Sequence, residues 1–216
     1  MSSPVADKVA QFFTQYPHRD CPRGQILIFA GENPEHIYYL VRGKVRKYDV
    51  SYRGDEVVVN LFKTGAFFPM SWAINREPNH YFYKTEVATE LHVAPVDEAL
   101  TFVRDNSDVM YDLLARLYRG SEGMLGRIVH LMSGTAKSRV VYELIIECRR
   151  FGTVTPEGAT LVDTNEQDLA ARSGLSRETV SRELGKLKRG GLVSIDNSGI
   201  IINHLATLEA SLGNEL

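Results

Sequence analysis

The chain is poor in cysteine: it has two in 216 residues, and Cys21 and Cys148 lie far apart, without the paired spacing of a metal site. That leaves no disulfide framework and no iron–sulfur cysteine cluster, and free thiols in a reducing cytoplasm are expected. Long apolar runs are also missing. No stretch approaches the ~20 apolar residues of a membrane span, and MSSPVADKVA lacks the apolar core of a signal peptide, so no membrane partner is expected. Neither sign of charge dominates. A formal net charge of −2 argues against indiscriminate binding to nucleic acid. There is no nucleophile–base pair, no metal-ligand cluster and no phosphate-cradling glycine loop, so neither catalysis nor a resident metal or cofactor is expected.

What the chain does have is concentrated in residues 165–189, NEQDLAARSGLSRETVSRELGKLKR. Asn165 is placed to cap a first short helix that buries Leu169. Ser173-Gly174-Leu175 makes a turn, since Gly174 accepts the positive φ of a helix end. Ser176 caps a second helix whose Val180, Leu184 and Leu187 recur at helical spacing and face inward. The opposite face carries Arg177, Glu178, Ser181, Arg182 and Lys186. Such a row near a helix N-terminus suits the major groove, where Arg grips guanine O6/N7 and Glu accepts from the cytosine amino group. A solvated charged face with i,i+4 pairs is the bland alternative. The LVSI…GIIIN hairpin that follows completes a winged helix and favours double-stranded DNA as partner. Residues 172–189 hold Arg172, Arg177, Arg182, Lys186, Lys188 and Arg189 against Glu178 and Glu183, a local charge of +4 on a weakly acidic chain. That combination fits a site-selective binder.

LSRETVSRELGKLKRGGLVSI resembles the recognition helix and wing of the Crp/Fnr regulators, and the likeness in layout covers most of the chain. The resemblance implies an α+β architecture: an N-terminal antiparallel β-roll of the cyclic-nucleotide-binding type over 1–106, a dimerisation helix and hinge over 107–134, and a winged helix-turn-helix over 135–216. It implies transcription regulation on palindromes with TGTGA-like half-sites, read by Arg177, Glu178 and Arg182. Gln167, Ser176, Thr179, Ser181, Lys186 and Lys188 would hold phosphates. Glu166 departs from the pattern, which places a basic residue on the phosphates there. In activating members a surface loop in the neighbourhood of Thr155-Pro156-Glu157-Gly158 touches RNA polymerase.

The N-terminal half fits a roll. A short amphipathic helix is expected over 5–16, broken by PHRDCPRG. From residue 25 to about 96, QILIFA, HIYYLV, KVRKYDV, EVVVNLF, YFYKTEVAT and LHVAPV read as short strands, with tight links at Arg42-Gly43 and over 51–55. GENPEHIYYLVRGKVRKY is similar to the opening of the family's effector domain, and Gly65-Ala66-Phe67 to the start of its phosphate cassette. The cassette itself is not matched. Pro69 removes a donor N–H, Met70 stands where a ribose-binding Glu is expected, and Tyr81-Phe82-Tyr83 covers the Arg-Ser region. A cyclic phosphate there would be a buried, unpaired charge, so cyclic AMP is not expected. Phe67, Phe68, Met70, Trp72 and Tyr83 either line a pocket for a small organic effector or pack the roll shut and leave a constitutive regulator. His80 and His92 are read as structural, so haem is not expected.

A short helix is expected near 98–106, then a long one from Ser107 or Asp108 to about Met132. Its Met110, Leu114, Leu117, Ser121, Met124, Ile128 and Leu131 follow heptad spacing, which favours a parallel homodimer over packing on the chain's own barrel. Gly120, Gly123 and Gly126 each cost roughly 1 kcal/mol against Ala and need a reason. The expectation is that this segment, with Met124, faces the effector cavity and couples its occupancy to the helix. Ser133-Gly134-Thr135 is the expected hinge, and a C-terminal helix is expected within 204–216.

Overall fold

The computed structural model describes residues 3–52, 54–196 and 199–213. The chain forms two compact units, Met1–Tyr118 and Arg119–Leu216. Among the described residues no helix is long and apolar enough to cross a membrane.

The first unit opens with α1 (Pro4–Phe13), whose Ser3 cap accepts from the Ala6 amide at 3.2 Å and whose Pro4 sits where a helix needs no N–H. Two four-stranded antiparallel sheets follow. One runs β1 (His18–Cys21), β8 (Thr89–Pro95), β3 (His36–Arg42), β6 (Phe67–Phe68); the other β2 (Ile26–Ile28), β7 (Phe82–Thr85), β4 (Lys44–Val50), β5 (Glu56–Lys63). Between β6 and β7 lies α2 (Met70–Asn75), and α3 (Val96–Asp105) leads into α4 (Ser107–Ser133). Leu40, Val45, Phe68, Tyr83 and Leu91 fill the roll, while Val9 and Phe13 of α1 pack with Ile37, Ala94, Ala99 and Val103.

Several expectations shift here. The segment read as a break is β1, paired with β8 from His18↔His92 to Cys21↔Thr89. Its prolines, Pro17 and Pro22, stand just outside the strand, where a missing N–H costs no ladder bond. YFYKTEVAT is not one strand: it holds the whole of β7, a bend, and the first residue of β8, Thr89. Gly43 is required at its turn: φ is 113°, and a Cβ there would collide with the backbone of Thr89. The link over 51–55 closes with the Ser51 amide donating to the Asp55 carbonyl at 2.9 Å; Arg53 lies outside the described residues.

In the second unit Thr135 caps α5 (Ala136–Phe151) by accepting from the Ser138 amide. Four strands, β9 (Thr153–Val154), β10 (Thr160–Val162), β11 (Val193–Asp196) and β12 (Gly199–Ile202), form a sheet in the order β11-β12-β10-β9. Packed with it are α6 (Glu166–Ser173), α7 (Arg177–Arg189) and α8 (Leu205–Gly213). Val140, Val141, Leu144, Leu169, Val180, Leu184, Ile200 and Leu208 share one core. Asn197 and Ser198 of the expected wing turn, and residues 214–216 of the expected C-terminal helix, lie outside the described residues.

Candidate nucleic-acid interface

Local chemistry builds the α6–turn–α7 segment. Asn165 Oδ1 accepts from the amides of Gln167 (2.9 Å) and Asp168 (3.0 Å), covering two donors that a helix start leaves without partners. Gly174 takes φ 64° at the turn, and Ser176 caps α7 by accepting from the Thr179 amide at 3.2 Å. Because Val180, Leu184 and Leu187 are buried, α7 must present its other face to solvent. Arg177, Glu178, Ser181, Arg182 and Lys188 are exposed there. With Glu166, Lys186 and Arg189, the first four line an open, shallow surface between α6 and α7. Gln167 and Ser176 are exposed and Thr179 is half-buried.

The side chains on this surface are partly oriented already. Arg182 donates from Nη2 to the Thr179 hydroxyl at 3.2 Å and from Nε to the Glu178 carbonyl at 3.3 Å. The Glu178 carboxyl is held below the ordinary carboxylate range, first by its own backbone N–H, then by the Ser176 hydroxyl, with Arg177 and Arg182 adding positive charge. It is therefore an ionised acceptor at neutral pH. Arg177 Nε lies 3.1 Å from Glu166 Oε2.

Two members of the expected cationic patch are already paired with acids. Arg172 is not on this surface: it is buried and donates to Glu147 Oε1 at 2.7 Å and to the Thr164 hydroxyl. Lys186 is tied to Glu183 at 2.7 Å. Sequence reading missed these acids because Glu143, Glu147 and Glu183 look like surface residues of amphipathic helices, yet all three are buried. The signal available was the spacing of Glu143 and Glu147, one turn apart on α5 beside its apolar face. Glu143 holds Arg127 of α4 through two bonds, 2.5 and 2.9 Å.

Within the first unit, the aromatic residues proposed for an effector pocket divide between two packed clusters. Phe68 and Tyr83 are almost wholly buried in the roll, their rings stacked at 5.5 Å and 7°. Burial pushes the Tyr83 phenol well above its ordinary range. Phe67, Met70 and Trp72 belong instead to the cluster around α1 and α3. In the second unit Gly123 and Gly126 face α5 of the same unit. A Cβ on Gly126 would land on the Tyr142 hydroxyl, which itself donates to the Gly123 carbonyl at 3.0 Å. Gly120 has open space, and Met124 is exposed. His92 Nδ1 lies 3.0 Å from the Tyr16 carbonyl, and His80 is exposed.

An antiparallel roll of the cyclic-nucleotide-binding type, a long helix and a winged helix-turn-helix with an exposed Arg-Glu-Arg row define a DNA-binding transcription regulator. Comparison with known proteins agrees. Residues 18–106 match the cyclic nucleotide-binding domain family, and residues 138–211 the Crp-like helix-turn-helix domain family. The global nitrogen regulator of Synechococcus elongatus is 30% identical over 186 residues, covering 83% of this chain and 82% of that protein. The cAMP-activated global transcriptional regulator CRP of Pasteurella multocida is 23% identical over 203 residues, 93% of this chain and 97% of that one. A CooA mutant from Carboxydothermus hydrogenoformans shares the fold, with TM-score 0.80 and 16% identity, covering 98% of this chain and 97% of that one. The chain belongs to the Crp/Fnr family.

Proposed function

We propose that this regulator acts as a homodimer on palindromic sites with TGTGA-like half-sites. The observation that carries the reading is the row Arg177, Glu178 and Arg182, exposed on the N-terminal turns of a helix whose opposite face is buried. Arg177 and Arg182 supply the paired donors that guanine requires, and ionised Glu178 accepts from cytosine. Gln167, Ser176, Thr179, Ser181, Lys186 and Lys188 hold phosphates and set register. Dimerisation is supported by α4, 27 residues and about 40 Å long, on which Met110, Leu114, Leu117, Ser121, Met124, Ile128 and Leu131 are exposed at heptad spacing. A dimer sets two recognition helices roughly 34 Å apart, one turn of DNA. The hairpin tip at 155–158, where the Gly158 amide donates to the Thr155 carbonyl, is the segment offered to RNA polymerase.

A small effector other than a cyclic nucleotide controls the roll in this reading, because Pro69 and Met70 supply neither the donor nor the acceptor a cyclic phosphate and its ribose need. A second reading, DNA binding with no effector, is favoured by the closed stack of Phe62, Phe68 and Tyr83, with centroids 4.7 and 5.5 Å apart along it. Fluorescence anisotropy with a TGTGA palindrome and a scrambled duplex, with and without cyclic AMP, tests the whole. Selective binding without additive supports the half-site and the effector-free reading. Selectivity appearing only with cyclic AMP overturns the account of the cassette. Sedimentation of the free protein at several concentrations tests the dimer.

A further inference from the structure

We propose that Glu166 is a positioning residue for specificity: it orients the Arg177 guanidinium before DNA arrives and so sharpens the choice of base at the pair Arg177 reads. The inference rests on the reading of Arg177 as a base contact. Glu166 is the first residue of α6 and Arg177 the first of α7, and the two side chains meet across the turn with Oε2 3.1 Å from Nε. Both line the surface that carries Glu178 and Arg182. The contact is one-sided in a useful way. Arg has five N–H donors, and spending the one on Nε leaves the two Nη groups, the fork that matches guanine O6 and N7. An unrestrained guanidinium at this exposure (69% of the Arg177 side chain is open) would sample phosphate as readily as base. Glu166 restricts that freedom in advance, which lowers the ordering cost of the specific complex. Its negative charge also repels any phosphate approaching the same edge, which penalises binding to arbitrary sequence.

Position 166 therefore trades non-specific affinity for selectivity. An exposed pair of this kind is weak, so the expected effect on selectivity is about two- to fivefold. A basic residue at the same position would do the opposite, adding a phosphate contact and steepening the salt dependence by about 0.9 in logarithmic slope.

The test is competition binding of the full-length protein to a TGTGA palindrome and to the set of duplexes carrying each single base change in the half-site. Wild type is compared with Glu166→Ala, Glu166→Gln, Arg177→Ala and the double variant Glu166→Ala/Arg177→Ala. Arg177→Ala first identifies the base pair that Arg177 reads. Glu166→Ala should then lose about two- to fivefold selectivity at that base pair and little elsewhere, while binding the scrambled duplex more tightly. In the Arg177→Ala background the same change should leave the base profile unaltered. Glu166→Gln keeps an acceptor for Nε without the charge, so it should preserve most of the base selectivity while gaining non-specific affinity. A base profile unchanged by Glu166→Ala, or a selectivity loss that persists without Arg177, overturns the proposal while leaving the Arg177 contact standing. If Arg177→Ala itself weakens every duplex equally, Arg177 is a phosphate contact, and both readings fall together.

Discussion

Arg172 Nη1 and Glu147 Oε1 meet at 2.7 Å, with 4% and 2% of their side chains exposed, so a residue of the helix-turn-helix is locked to α5 by an ion pair almost out of water. Thr164 accepts from the other Nη. One turn earlier on α5, Glu143 holds Arg127 of α4 in the same way. A buried pair contributes little beyond its own desolvation cost, but removing one partner strands a charge.

Arg172→Ala should accordingly destabilise the protein by about 3–5 kcal/mol, read as a lowered denaturant midpoint with the helical signal as probe. Replacing both partners, Arg172→Met with Glu147→Met, should recover a large part of that loss. Folded Arg172→Ala should keep the wild-type salt slope of DNA binding, since its guanidinium lies off the recognition surface. A reduced slope would make Arg172 a phosphate contact.

The glycines of α4 separate in the same assay. Gly120 has open space around its missing Cβ, so Gly120→Ala should stabilise by roughly 0.5–1 kcal/mol through helix propensity alone. Gly126→Ala has the same propensity gain but drives a methyl group into the Tyr142 hydroxyl and displaces its bond to the Gly123 carbonyl. It should be destabilising, losing at least the ~1 kcal/mol of that hydrogen bond net of other changes. Adding Tyr142→Phe, which removes the nearest of the clashing atoms, should narrow the gap. Equal stabilisation by both alanines would exclude this account of the close approach.

How legible all this was in sequence follows from where the information sits. Periodicity and capping are local, so α7 with its Ser176 cap and its Val180-Leu184-Leu187 stripe was readable residue by residue, as was the break after Ser133 with Thr135 capping α5. The short strands of the roll were readable from their β-branched runs. β1 was not, because His18, Arg19 and Asp20 are exposed and its strand character comes only from β8 beside it. Ion pairs between elements leave no periodic trace either. Arg172 counted as surface charge until Glu147, 25 residues earlier, was placed against it. The aromatic residues around 67–83 gave their burial but not their grouping: which of them share a core depends on the crossing of β6 into α2, a tertiary fact.

Tyrosine titration offers a pH test of the first unit. The Tyr16 phenol is pushed up to about 12, first by burial and then by its hydrogen bond to Glu98 and that carboxylate's charge. Burial raises Tyr38, Tyr39, Tyr48 and Tyr83 as well. A raised folded-state pKa means that the unfolded chain releases its proton first, near pH 10, while the folded chain still holds it. Stability is therefore unaffected by these groups below about pH 10 and falls as pH rises toward about 12 for Tyr16. Tyr16→Phe should flatten the alkaline decline measured by denaturant titration at successive pH values. Phenolate absorbance should show these tyrosines ionising later than free phenol. A decline just as steep in Tyr16→Phe would assign the window to the other phenols.

The last prediction separates base contacts from phosphate contacts on α7, and its logic lies in what each donor can distinguish. Arg182 is braced by Thr179 and by the Glu178 carbonyl, so its guanidinium is directed rather than free. A directed fork that meets guanine loses both bonds when the base changes. Arg182→Ala should therefore cost about 1–3 kcal/mol on the preferred duplex and nearly nothing on duplexes already altered at that base pair. Lys188, exposed near the C-terminal end of α7, is farther from the base-reading turns and presents a point charge that suits any phosphate. Lys188→Ala should weaken all duplexes alike and lower the logarithmic salt slope by about 0.9. Binding isotherms for both variants across a salt series and a set of single-base duplexes decide the matter. A uniform loss for Arg182→Ala with a reduced slope would move Arg182 to the backbone and leave Arg177 and Glu178 alone as readers of sequence.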